Sequence, residues 1–183
     1  MSGHNKWSKI KHKKAATDAQ KSKLFSKHAA IIAMEARKAG GDATASGVLA
    51  AVERAKKDSM PKENIERAIA KGSGASGAAF EEVIFEVFGP GGVGMIITAV
   101  TDNNNRTAPE IKHILHKAGH ELGAPGSAMW AFTKIDGRYV PQNPLEITDE
   151  DGEKLATLIE ALEEQDDVQE IFTTTDSLEE EVA

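Results

Sequence analysis

The sequence contains no cysteine. That excludes disulfides, thiolate metal sites and a cysteine nucleophile, and it fits a reducing compartment such as the cytoplasm. Aromatic residues are scarce, with two Trp, one Tyr and six Phe in 183 residues. Any core must therefore be built mostly from aliphatic side chains. No apolar run approaches the roughly 20 residues that a membrane helix needs, so no membrane role is expected. The start of the chain has the positive charge of a secretory leader but not the apolar stretch that follows in one. A mitochondrial presequence would also be basic, yet would favour Arg and Ser over the Lys found here. No Ser-His-Asp set is evident, and the many carboxylates read as solvated surface. The expectation is a non-enzyme with no cofactor and no small-molecule substrate.

Each half of the chain is poor in one sign of charge. Residues 1–72 hold 16 Lys/Arg against 7 Asp/Glu, and residues 73–183 hold 6 against 22, within a net charge of -7. The first 38 residues alone carry ten Lys/Arg and two Asp/Glu. Clustered Lys gains affinity for a polyanion by releasing condensed counterions, which makes nucleic acid the expected partner. The acidic remainder repels non-specific nucleic acid.

Hydrophobic spacing divides the chain in the same place. A 3.6-residue period predicts helices over 17–39 and 46–58, and a third that opens at Pro61 and closes on Gly72. Residues 73–79 read as a linker. From residue 80 the period falls to two: strands are expected at 80–88 and 93–101, joined by a Gly-Pro-Gly-Gly turn. A polar loop at 101–107, a helix at 108–118 and a strand at 127–134 follow. Residues 136–147 are irregular or include a short extended piece. A helix capped by Thr148 and a strand at 168–173 complete the pattern, before an acidic tail over 176–183. The fold class is α+β: an N-terminal three-helix domain (1–72, with a basic arm) and a β-β-α-β-α-β, ferredoxin-like domain (80–175).

The candidate nucleic-acid residues begin in the arm: His4, Lys6, Trp7, Lys9, Lys11, His12, Lys13 and Lys14. Lys21, Lys23 and Lys27 continue the series. Lysines supply phosphate contacts without sequence preference, and a reachable Trp stacks on an unpaired base. The plainer alternative is a solvated charged face with Trp7 packed on the helices. In the loop, Asp102, Asn103, Asn105 and Arg106 offer contacts to phosphate, sugar or base edges, although Asn and Asp also suit loops for purely conformational reasons. Gly-Pro-Gly-Gly-Val-Gly lacks a phosphate-loop pattern and joins two strands, so it reads as a turn. His113, His116 and His120 have helical spacing but no matching carboxylate, so surface histidines are expected rather than a metal site.

Several motifs resemble the YebC/PmpR family. They are Gly3-His4-Asn5-Lys6-Trp7 with Ile10-Lys11-His12-Lys13-Lys14, then Asp18 and Lys23-Leu24-Phe25. Met60-Pro61-Lys62-Glu63-Asn64-Ile65-Glu66-Arg67-Ala68-Ile69, Gly89-Pro90-Gly91-Gly92 and Thr101-Asp102-Asn103-Asn104-Asn105-Arg106-Thr107 follow in order. Leu122-Gly123, Gly126-Ser127, Trp130, Phe132, Ala161-Leu162-Glu163 and Asp166-Asp167-Val168-Gln169 extend the match across nearly the whole chain. The resemblance implies a non-enzymatic regulator of gene expression. Bacterial members are labelled DNA-binding transcriptional regulators, and mitochondrial ones are translational activators. Bacterial members are also described as ribosome-associated factors that relieve stalling at proline-rich stretches. The implied partner is therefore rRNA or tRNA on the ribosome, or DNA. The implied fold is a helical domain beside two α/β domains, one inserted in the other. Here Lys134 to Pro141 runs almost directly into Pro144-Leu145-Glu146-Ile147, so most of the inserted domain is missing near 136–143.

Overall fold

The computed structural model describes residues 18–74 and 79–175. They fall into two compact units. Residues 18–74, 79–83 and 100–104 form one, and residues 84–99 and 105–175 form the other.

The first unit is helical. Helix α1 spans Asp18–Lys38, α2 Ser46–Lys57 and α3 Lys62–Ser73. The spacing of Ile32 and Ala36 on α1, Val48, Ala51 and Ala55 on α2, and Ile65 and Ala68 on α3 gives each helix one buried stripe. Ile32, Ala51, Ala55, Met60, Ile65 and Ala68 form a shared core, with Phe25 and Val52 packed on it. Two helices end in the same way. Gly41 N–H donates to the Ala36 carbonyl and Gly40 N–H to Arg37, with Gly40 at φ 62°. Met60 N–H donates to Ala55 and Ser59 N–H to Lys56, with Ser59 at φ 64°. Both are Schellman ends, in which a left-handed residue turns the chain while its neighbours satisfy the last carbonyls.

Gly72 differs from its expected role. It is not the residue beyond α3 but lies buried inside it. A Cβ at this position would collide with the backbone carbonyl of Ala33. The glycine is there for close helix approach, not for helix termination.

A three-stranded sheet has the order β1-β2-β5, with β1 Glu81–Phe88, β2 Gly94–Thr101 and β5 Val168–Thr173, and the second unit is built on its residues 84–88, 94–99 and 168–173. Strand β2 is buried at all eight positions, as a central strand covered on both faces must be. It pairs antiparallel with β5, Met95 opposite Thr173 and Ile97 opposite Ile171, with a register shift at Thr98/Ala99. The Gly89–Val93 turn between β1 and β2 closes through a 2.8 Å bond from Gly89 N–H to the Val93 carbonyl. Gly91 and Gly92 there have φ 68° and 76°, which glycine adopts without strain.

Helix α4 runs Asn104–Lys117 and α5 Asp149–Glu163. Thr148 caps α5, its hydroxyl accepting from Asp151 N–H at 3.2 Å, as its sequence suggested. Helix α4 begins four residues before the expected start, so half of the supposed loop is its first turn. Pro109, inside the helix, and the polar run before it had concealed this. Thr101 makes the strand-to-helix turn by accepting from Asn103 N–H at 2.9 Å.

The third strand also differs. Residues 127 and 128 lie in a turn and Met129–Ala131 form a short 3-10 helix rather than a strand. Strand β3 covers only Phe132–Ile135 and pairs with β4, Arg138–Pro141, as a separate two-stranded sheet. Its inner face joins Ile96, Ala128 and Phe172 in a core that includes Phe132 and Tyr139. The Tyr139 and Phe172 rings meet edge to face at 5.4 Å.

Replacing Gly72 with Ala should destabilise the helical unit by about 1–3 kcal/mol, the usual cost of forcing volume into a packed contact. Gly74→Ala is the comparator, since its nearest neighbour would lie at 3.7 Å. Urea midpoints should fall for the first variant and hold for the second.

Candidate nucleic-acid interface

His4, Lys6, Trp7, Lys9, Lys11, His12, Lys13 and Lys14 lie outside the described residues. The basic series enters the structure on α1. Lys23 and Lys27 are one turn apart on the same side of the helix, while Lys21 points elsewhere and is exposed. Lys23 and Lys27 are half-buried and engaged with neighbours. Beside them, His28 Nε2 lies 2.6 Å from Asp58 Oδ2, joining α1 to the end of α2.

The outward side of α3 is mixed in sign. Lys62, Glu63, Glu66 and Arg67 are all exposed. Lys62 lies 3.6 Å from Glu66, and Arg67 turns back to the Asn64 side chain and the Glu63 carbonyl. A helix whose acids sit among its bases is poorly suited to the major groove.

Asp102 and Asn103 precede α4, and Asn105 and Arg106 stand in its first turn; all four are exposed. Arg106 is fastened to the segment that leads into β5. Its guanidinium donates to Asp167 Oδ2 at 2.8 Å, and the Thr107 hydroxyl donates to the same oxygen at 2.6 Å. Burial disfavours the Asp167 charge. The bonds from Thr107, Arg106 and Gln165, together with the Arg106 charge, outweigh that and hold the carboxyl below its ordinary pKa. Gln165 completes the network: its carbonyl oxygen accepts from Asp167 N–H at 2.7 Å, and its amide donates to Glu110 at 2.9 Å. This knot ties the start of α4 to the start of β5. Arg106, Glu110, Glu164, Gln165, Asp166 and Asp167 line a cleft of about 460 Å³. With four carboxylates to one guanidinium, that cleft repels phosphate.

Two residues outside the sequence-derived site shape the opposite end of this unit. Glu86, on β1, is 7% exposed. Its carboxylate accepts three backbone N–H groups: Gly126 at 2.6 Å, Ala128 at 2.7 Å and Met129 at 2.8 Å. Burial works against the charge, but the three donors together prevail and lower its pKa. The loop so held presents Trp130 at 70% exposure, with its indole N–H donating to the Ser127 carbonyl at 2.8 Å. Strand alternation had placed Glu86 on the side away from Phe85 and Val87, and nothing local to it signals the distant N–H donors.

His113 and His116 are exposed, and among the described residues no three His, Asp or Glu side chains are placed to hold a metal ion. None of the described helices is long and apolar enough to cross a membrane.

Residues 5–75 match the sequence model of the TACO1/YebC protein N-terminal domain, and residues 80–137 and 134–175 match that of the TACO1/YebC second and third domain. The chain belongs to the TACO1/YebC family. A relative from Thermotoga maritima is 37% identical over 235 positions, covering 94% of this chain and 93% of its own length. One from Dictyoglomus turgidum is 43% identical over 185 positions, covering 98% and 74%. Both bear the name "probable transcriptional regulatory protein". A crystal structure of a conserved hypothetical protein from Aquifex aeolicus superposes with a TM-score of 0.80 at 32% identity, over 90% of this chain and 94% of that one. The present TACO1/YebC chain is a shortened member, since 183 residues align over 235 positions. The two matches to the second model meet at residues 134–137, at the tip of the β3–β4 hairpin.

Because the Glu86 and Asp167 pKa values are depressed on folding, both carboxylates stabilise the α/β unit above the ordinary carboxylate range. That stability is lost as pH falls through the folded values. Denaturant midpoints should therefore drop below about pH 4.5. Glu86→Gln should lower the midpoint at neutral pH and flatten the acid limb.

Proposed function

We propose that this TACO1/YebC member is a non-enzymatic regulator of gene expression that binds nucleic acid through the basic region 1–72. The observation that carries this reading is the charge partition: 16 Lys/Arg and 7 Asp/Glu in residues 1–72 of a chain whose net charge is -7. Such a segment gathers phosphates, while the acidic remainder limits indiscriminate binding.

The form of regulation we infer is translational. The protein acts in the cytoplasm on the ribosome, contacting rRNA or tRNA, and helps stalled elongation to resume, as at proline-rich stretches. The mixed charge of α3 and the predominance of Lys over Arg favour RNA shape and phosphate over base reading in a duplex. In this reading the arm and Lys21, Lys23 and Lys27 hold phosphates. Asp102, Asn103 and Asn105 follow local RNA shape, with Arg106 bracing the helix beneath them. The division is a basic domain over 1–72, an α/β domain over 80–175 that lacks most of the family's inserted domain near 136–143, and an acidic tail over 176–183.

The relatives' shared name favours a second reading, a DNA-binding transcriptional regulator. Co-sedimentation with ribosomes and binding to random duplex DNA, each across a salt series, separate the two. Retention on ribosomes at salt that strips the protein from DNA is the expected result. Equal loss from both, with a strong preference for one operator sequence, would transfer the assignment to DNA. Changing Lys11, Lys13 and Lys14 together to Ala should lower the slope of log affinity against log salt by roughly 0.7 to 0.9 per phosphate contact removed.

A further inference from the structure

Among the described residues, Trp130 is the largest of the exposed hydrophobic side chains, and at 70% it is also the most exposed of them. Its polar atom is already satisfied, since the indole N–H donates to Ser127 only three residues away. The ring is thus oriented from within its own turn and presents apolar surface to solvent. That turn is held by the buried Glu86 carboxylate through Gly126, Ala128 and Met129. Downstream, the Gln142 N–H donates to the Ala131 carbonyl at 2.8 Å, fastening the same turn to the β3–β4 hairpin. A rigid, oriented and unpacked indole suits stacking better than core packing.

The hairpin carries two cations, Lys134 and Arg138, with one exposed carboxylate, Asp136, between them. Between Lys117 and Lys154 the only Lys or Arg residues are Lys134 and Arg138. Both are exposed and both are positioned by aromatic rings. Lys134 Nζ lies 5.1 Å from the Tyr139 centroid, and Arg138 lies 5.8 Å from that of Phe172. The tip of this hairpin is where the two family matches meet. In this shortened chain the strand after Trp130 therefore turns straight back on itself instead of leading into further sequence.

We propose that Trp130 is a stacking platform for an unpaired nucleobase, with Lys134 and Arg138 taking the phosphates that flank it. The inference rests on the nucleic-acid reading above and adds to it a second contact, on the α/β unit and independent of the basic arm. The ligand class is an unpaired strand, because a base inside a duplex has no open face to offer the indole, and RNA rather than DNA follows from the translational reading above.

The test uses the full chain and a fluorescein-labelled oligouridylate, read by anisotropy. Trp130→Ala should bind roughly tenfold more weakly, the scale of one lost base–aromatic stack, and Trp130→Phe should recover most of the loss. The urea midpoint of Trp130→Ala should hold, since the side chain is largely in solvent. A Trp7→Phe background leaves Trp130 as the sole indole. There, oligouridylate should quench its emission saturably, and inorganic polyphosphate, which has no bases, should not. Oligouridylate binding with equal affinity for Trp130→Ala and unchanged indole emission would overturn the platform while leaving the arm's role intact. A wild-type chain that binds neither oligouridylate nor ribosomes would overturn both.

Discussion

The carboxylate of Glu86 governs the course of the chain through much of the α/β unit. Three backbone N–H groups from Gly126 to Met129 converge on it, and few other arrangements make a buried carboxylate tolerable. Next to it, the Glu86 carbonyl accepts from Gly123 N–H at 2.7 Å, and Val87 bridges to Leu122. Strand β1 thus holds the 122–129 segment by backbone and side chain together. That hold brings Ala128 and Phe132 into the core with Ile96 and Phe172, and it leaves Trp130 facing outward.

The helical unit depends on a different constraint, the distance between two backbones. Helix α1 packs against α3 more extensively than against α2, and the Ala33 and Gly72 backbones meet with no room for a Cβ on Gly72. Small side chains there let the larger ones, Ile32 and Ile65, enter the core. With the apolar stripes turned inward, most of the Lys and Arg on these helices, among them Lys21, Arg54, Lys57 and Lys71, are left exposed.

Much of the architecture was legible in the chain. The three helices, the last strand and the Thr148 cap agree with their expected places to within a residue or two, because each has a strong local signal: an apolar stripe, an alternating run or a capping hydroxyl. The misread places share a cause. Gly72 looked like a helix terminator because its true neighbour, Ala33, is far away in sequence. Residues 127–134 looked like one strand because an apolar run says nothing of its pairing partner, and Arg138–Pro141 became that partner only through the hairpin. The loop reading of 101–107 failed where polar residues and Pro109 outweighed helix formation by Asn104 to Thr107.

The candidate site divides along the same line. Sequence alone determined the sign of charge along the chain, the family motifs and the class of partner they imply, since these depend on residue type and order. It also determined that Asp102, Asn103, Asn105 and Arg106 stand together, because they are neighbours along the chain. Only tertiary structure decided that Arg106 is tied to Asp167, that Glu86 is buried under three N–H donors, and that Trp130 is bare. Each of these depends on a partner, or on the lack of one, set by packing between segments distant in sequence. No local pattern carries that information.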